Sequence, residues 1–219
     1  MHFIEYLIQP YQSYQTWQIG IEMIAAIFGL VSVLFSIKKK IWVYPTGIIS
    51  TLLYVYILYA FGLVGDMLIN VYYTVMSIYG WILWSKNQNE YYEVSVKKAT
   101  SKDWKIATVL FVLSSIFVAF VYYYKPVLEQ WQTGVQQAVG LHHLDWANWL
   151  DVFTTSLFLV GMWFMAKRRI ENWIFWIIAD FISVPMYIYK GLGITAIQFV
   201  IFTYLATRGY LVWRKALDK

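Results

Sequence analysis

The sequence predicts an all-α integral membrane protein with seven transmembrane helices, arranged as two parallel three-helix repeats joined by a linker helix. Three observations predict it: apolar blocks of spanning length, basic residues gathered on alternate loops, and features that recur at an offset near 130. Hydrophobic residues make up 60% of the 219 and charged residues only 13%, where a soluble domain carries charge on about a quarter of its positions. With a mean hydropathy of +0.54, the chain has too little polar surface to cover a water-facing globule. A span needs about 20 mostly apolar residues. Hydrocarbon offers the backbone no water, so each block must satisfy its own amides as a helix.

The elements follow in order. Residues 1–20 mix aromatic and polar side chains, with Gln9-Pro10 interrupting any span, and read as an interfacial segment. Span 1 runs from Ile21 to Ile37 and stops at Lys38-Lys39-Lys40. Span 2 runs from Trp42 to Phe61, with Pro45 in its first turn, where the missing amide hydrogen costs little. Span 3 runs from Asp66 to Trp84. Residues 85–148 hold a basic loop, the linker span from Trp104 to Tyr124, and a second loop with a short amphipathic helix around Val127–Val139. Span 5 runs from Trp149 to Ala166 and stops at Lys167-Arg168-Arg169. Span 6 covers Trp173 to Tyr189, span 7 covers Gly193 to Trp213, and residues 214–219 form a short tail.

The loops after spans 1, 3 and 5 and the C-terminal end carry nearly all the Lys and Arg, whereas the opposite side carries Lys125 and Lys190. The positive-inside rule places the basic side in the cytoplasm, with the N-terminus outside and the C-terminus inside. The net charge of +5 follows from this topology and from contact with anionic lipid. It requires no nucleic acid.

Span 1 opens with Glu22 and span 5 with Asp151, and the two basic stops follow at matching distances. Trp42 opens span 2 and Trp173 opens span 6, with Tyr56 and Tyr187 fourteen residues further on. Tyr79-Gly80-Trp81-Ile82-Leu83-Trp84 closes span 3, as Arg208-Gly209-Tyr210-Leu211-Val212-Trp213 closes span 7. Residues 21–84 and 149–213 therefore read as repeats. A triplet is odd, so a second copy placed directly after the first would be inverted, and one extra span restores its orientation. The same plan occurs in sugar-transporting SWEET proteins, whose site lies at the midplane between repeats.

Polar side chains inside spans are costly and face the bundle interior. Asp66, Asn70, Tyr73 and Ser77 share one face of span 3, and Trp173, Trp176, Asp180, Ser183 and Tyr187 one face of span 6. Span 7 adds Thr195, Gln198 and Thr203. At the span ends, Glu22, Asp66 and Asp151 read as helix caps. Asn70 and Gln198 lie too deep to reach the headgroups and read as substrate ligands. Asp180 divides evenly between a ligand and an interhelical bond. Aromatic faces beside a carboxylate suit a flat cationic ring, and amides suit hydroxyls or a carboxamide. No glycine-rich phosphate loop, histidine–carboxylate pair or metal-ligand cluster appears, and there is no cysteine. The expectation is a transporter, not an enzyme, with no cofactor and no metal. His2, His142 and His143 read as solvated or interfacial.

The run Glu171-Asn172-Trp173-Ile174-Phe175-Trp176, followed by Asp180, Ile182-Ser183-Val184 and Tyr187, resembles the sixth span of the PnuC family of bacterial vitamin transporters. Ser77 to Trp84, with Asp66 and Asn70 upstream, resembles the end of its third span. Glu22, Gly29-Leu30, Trp42, Pro45 and Gly47 also fit. The resemblance implies uptake of nicotinamide riboside across the bacterial inner membrane by a homotrimer of this three-plus-one-plus-three fold. It implies facilitated diffusion by alternating access, with phosphorylation trapping the cargo inside. Asn70, Tyr73, Trp173, Trp176, Asp180, Tyr187 and Gln198 are the expected substrate-binding residues. The alternatives are a thiamine or riboflavin transporter, a SWEET-type sugar transporter, or a membrane protein without cargo.

Overall fold

A computed structural model describes residues 16–60, 64–91, 93–133, 139–141, 144–189 and 193–218. Among the described residues there are seven helices: α1 (Thr16–Ile37), α2 (Val43–Ala60), α3 (Val64–Ser85), α4 (Ser101–Thr133), α5 (Trp146–Ala166), α6 (Asn172–Tyr189) and α7 (Gly193–Leu217). The first six are each long and apolar enough to cross a membrane. The seventh is as long, but Arg208, Arg214 and Lys215 lower its hydropathy toward the C-terminal end. Among the described residues there is no strand, only isolated bridges.

Three sequence expectations change. The interfacial reading of residues 1–20 lies mostly outside the described residues, and Thr16 to Gly20 already belong to α1. The separate amphipathic helix begins as a continuation of α4, which runs through Pro126 to Thr133, while residues 134–138 lie outside the described part. The acids read as caps of spans 1 and 5 are not at helix starts. Glu22 stands well inside α1, and the N-cap of α5 is Asp145, whose Oδ1 accepts from the Asn148 amide at 2.8 Å. The carboxylate that begins a helix is the one that meets its orphan amides, and Asp151 is already more than a turn too late. Asp66 does stand in the first turn of α3.

Helices α1, α2 and α3 pack in succession, as do α5, α6 and α7. The triplets meet through α1 against α7 and α3 against α5, and α4 lies chiefly against α5. Both triplets make the same turn on the basic face. Lys39 and Arg168 take left-handed φ of 59° and 60°. Their amides bond the carbonyls of Ser36 and Met165 at 2.9 and 2.8 Å, and the next amides, of Lys40 and Arg169, bond Phe35 and Phe164 at 2.9 Å each. The equivalent residues lie 129 apart, as Ser36 and Met165 do. This register differs by two from the pairing of Trp42 with Trp173, and it sets Tyr44 against Trp173 and Trp84 against Trp213.

A cluster of buried rings lies at this end. Tyr44, Trp84, Trp173 and Trp213 are fully buried in one cluster with Met165 and Ala206. Tyr44 meets Trp84 edge-on at 5.1 Å, and Trp173 meets Trp213 edge-on at 5.5 Å. Each edge pair is admitted by a glycine: the Tyr44 ring fills the space where Gly80 would carry a Cβ, and the Trp173 ring does the same at Gly209. A second complementary contact is reversed between triplets. Ser32 faces Gly47 in the first, while Gly161 faces the Trp176 indole in the second.

The segment between α3 and α4 crosses this face as a strap. The Val94 amide bonds the Lys39 carbonyl at 3.1 Å and the Lys97 amide bonds the Arg168 carbonyl at 2.9 Å, so one strap joins equivalent points of both triplets. On the α6 side, the Ala99 amide donates to both oxygens of Glu171, and Arg169 pairs with Asp103 at 2.9 Å. Burial, and then the adjacent Arg169 charge, lowers the Arg168 guanidinium from its ordinary range.

Candidate functional site

Away from the tryptophan cluster, polar side chains of α3, α5 and α6 converge. Asp180 projects from the middle of α6 and is only 4% exposed. None of the hydrogen bonds among the described residues engages its carboxylate. Tyr73, half-buried on α3, lies within electrostatic reach of Asp180, Tyr187 and Asp151. Tyr187, two turns beyond Asp180, stacks on Phe199 of α7 with ring centroids 5.0 Å apart and planes 15° apart. Trp176, one turn before Asp180, is half-buried and stands edge-on to Trp173 at 5.3 Å.

The structure thus brings together Tyr73, Asp180 and Tyr187, with Trp176 on the same side of α6. The other three expected residues are placed differently. Trp173 has no exposed surface and forms part of the packed core behind Trp176, so it is not a ring open to a ligand. The half-buried Asn70 turns its amide to the Asp66 carbonyl at 3.0 Å, along its own helix. Gln198 is half-buried beside Phe199, without a hydrogen bond to the cluster among the described residues.

Several participants were not singled out in the sequence. The Tyr122 hydroxyl of α4 donates to the Asp151 carboxylate, tying the linker helix to α5 beside Tyr187. The Tyr72 hydroxyl donates to the Leu159 carbonyl at 3.1 Å, joining α3 to α5 next to Tyr73. Thr51 and Thr74 share a bond of 2.7 Å between α2 and α3. The Thr51 position corresponds to Asp180 in the register of 129. The available signal was a hydroxyl within an apolar block, but such hydroxyls are common and their default is to bond a backbone carbonyl.

A deeply buried carboxylate without a hydrogen bond is costly unless something compensates it. A cation seated beside Asp180 would do so, and the faces of Tyr73, Tyr187 and Trp176 are the side chains that attract a flat cation.

A family model described as nicotinamide mononucleotide transporter matches residues 19–215. The chain is 28% identical over 207 residues to the nicotinamide riboside transporter PnuC of Escherichia coli, covering 88% of this chain and 84% of that protein. It is 29% identical over 210 residues to the nicotinamide riboside transporter PnuC of Neisseria mucosa, covering 90% and 72%. It is 22% identical over 194 residues to the riboflavin/roseoflavin transporter RibM of Streptomyces davaonensis, covering 88% and 83%. Its fold is similar to a crystal structure of the vitamin B3 transporter PnuC, with a TM-score of 0.64, 23% identity, and coverage of 98% of this chain and 87% of that one. The match runs through nearly every described helix, from α1 to the end of α7, and the chain belongs to the nicotinamide mononucleotide transporter family.

Proposed function

We propose that this protein takes up nicotinamide riboside across the bacterial inner membrane by facilitated diffusion. The cargo passes through one site between two parallel repeats, residues 21–84 and 149–213, joined by residues 85–148 with α4 at their centre. The basic face is cytoplasmic, the N-terminus lies outside and the C-terminus inside. Cytoplasmic phosphorylation of the cargo makes the flux one-way, and the chain itself performs no chemistry. The working unit is a homotrimer.

The observation that carries this reading is Asp180: a buried carboxylate without a hydrogen bond among the described residues, within electrostatic reach of Tyr73, in a chain similar to nicotinamide riboside transporters. The pyridinium of the cargo stacks between Trp176 and Tyr187, its charge faces Asp180, and Tyr73 closes the side toward α3. Trp173 backs Trp176. Asn70 and Gln198 turn to the ribose hydroxyls or the carboxamide when cargo enters. Calorimetry on purified protein tests this: saturable nicotinamide riboside binding, lost in Asp180→Ala, is the expected result. Light scattering in detergent checks the trimer.

The relative named for riboflavin and roseoflavin favours a second reading, in which the ring system carried is a flavin. Binding of riboflavin with no binding of nicotinamide riboside would establish it.

A further inference from the structure

We infer that the cytoplasmic gate is built across the internal repeat from Trp84 and Trp213, and that the strap at residues 93–97 is its latch. The inference rests on the proposed path between repeats and on the side assigned to the basic face.

The bonds that cross between the triplets are reciprocal. Trp84 Nε1 donates to the Met165 carbonyl at 3.2 Å, and Trp213 Nε1 donates to the Ser36 carbonyl at 2.9 Å. Trp84 and Trp213 are equivalent, and so are Met165 and Ser36. The Ser36 hydroxyl itself meets the Met165 sulfur at 3.4 Å, and the two indoles lie 6.2 Å apart. Both tryptophans have 0% exposure. A self-complementary contact of this kind belongs to a two-fold interface, and here it joins the ends of α1 and α5. A cargo leaving a site between the triplets toward the basic face must part these bonds. They are few, and each is a neutral hydrogen bond of modest net strength, which suits a contact that breaks once per cycle.

The strap lies on the same crossing. Its two amides hold the carbonyls of Lys39 and Arg168, equivalent residues on opposite triplets, so the two basic turns cannot separate while both bonds persist. Its far end is moored to α6 and α4 by Glu171 and by the Arg169–Asp103 pair. Both lie on the side of the second triplet, so the end that releases is the Val94–Lys39 contact, which has no charged mooring among the described residues.

The chain contains no cysteine, so a single introduced pair reports without background. Ser36→Cys with Met165→Cys places two thiols where the side chains already touch. Oxidation in proteoliposomes is expected to lower uptake at least about tenfold, with recovery on reduction, because opening is then blocked. Full cross-linking with undiminished uptake would make this contact a fixed pivot and overturn the gate. The latch is read separately. Ala206→Cys, buried in the same cluster, should react with a membrane-impermeant maleimide from the basic side about tenfold faster when Val94→Pro or Glu171→Gln is added. Unchanged labelling in Glu171→Gln, with a native melting temperature, would overturn the latch. Wild-type protein that neither binds nor moves nicotinamide riboside would defeat the proposed cargo, while the labelling still reads the latch.

Discussion

Thr51 of α2 and Asp180 of α6 hold the same place in the two triplets and behave oppositely. Thr51 bonds Thr74 across to α3. Thr74 and its counterpart Thr203 each turn a hydroxyl back to the carbonyl four residues earlier, Asn70 at 3.0 Å and Phe199 at 2.8 Å, but no hydrogen bond joins Thr203 to Asp180 among the described residues. Their surroundings differ as well. Helix α1 buries only Ala25 and Ser36, whereas α5, flanked by α4, buries a dozen of its residues. The two halves keep one turn, yet the first joins Thr51 to Thr74 and the second leaves the buried Asp180 carboxylate without a hydrogen bond among the described residues. The triplets share a turn and a ring-over-glycine contact, and they differ at a few polar positions.

The comparison breaks most sharply at Asp180. Asp180→Thr gives α6 the residue of α2, and nicotinamide riboside binding should weaken by at least about tenfold, since a charge-assisted contact is worth roughly 1.5–3 kcal/mol. Thr51→Ala should leave the Kd within about twofold and lower only the melting temperature. Next come the paired glycines. Gly80→Ala and Gly209→Ala each drive a methyl into a buried ring, and each should cost about 1–3 kcal/mol in thermal denaturation. Equal losses support equivalence, and a loss at one alone would break it. Trp84→Phe and Trp213→Phe each remove one reciprocal bond and should each lower stability by about 1 kcal/mol. Smallest in its effect on binding is Tyr122→Phe, which removes a hydrogen bond to the Asp151 carboxylate and should cost about 1.5–3 kcal/mol of stability, yet leave the Kd within about twofold, because Tyr122 touches Asp151 and not Asp180.

Most of the frame was legible in the sequence. A span announces itself by length and a stop by its basic residues, because membrane crossing imposes these one helix at a time. The register was legible only to within two residues. Matching Trp42 with Trp173 follows residue identity, whereas the fold matches Tyr44 with Trp173, since what the site demands is a flat ring lying over a glycine. The shared face of Asp180 and Tyr187 on α6 was legible because a polar face at helical spacing is a local signal. The full burial of Trp173 was not legible, because periodicity gives its face but not what the neighbouring helix presents, here the bare backbone of Gly209. The strap carries no such signal, because it acts through main-chain amides that any residue but proline supplies.

The reversed contact between Ser32–Gly47 and Gly161–Trp176 bears on how such a chain can be recombined. In each triplet the two helices share a fixed allotment of space, and the bulk has moved from one partner to the other. A chimera that grafts α1 beside α6 would set Ser32 against the Trp176 indole, and one that grafts α5 beside α2 would leave two glycines facing a void. Helices of this fold are therefore inherited as couples, and shuffling experiments should exchange whole triplets.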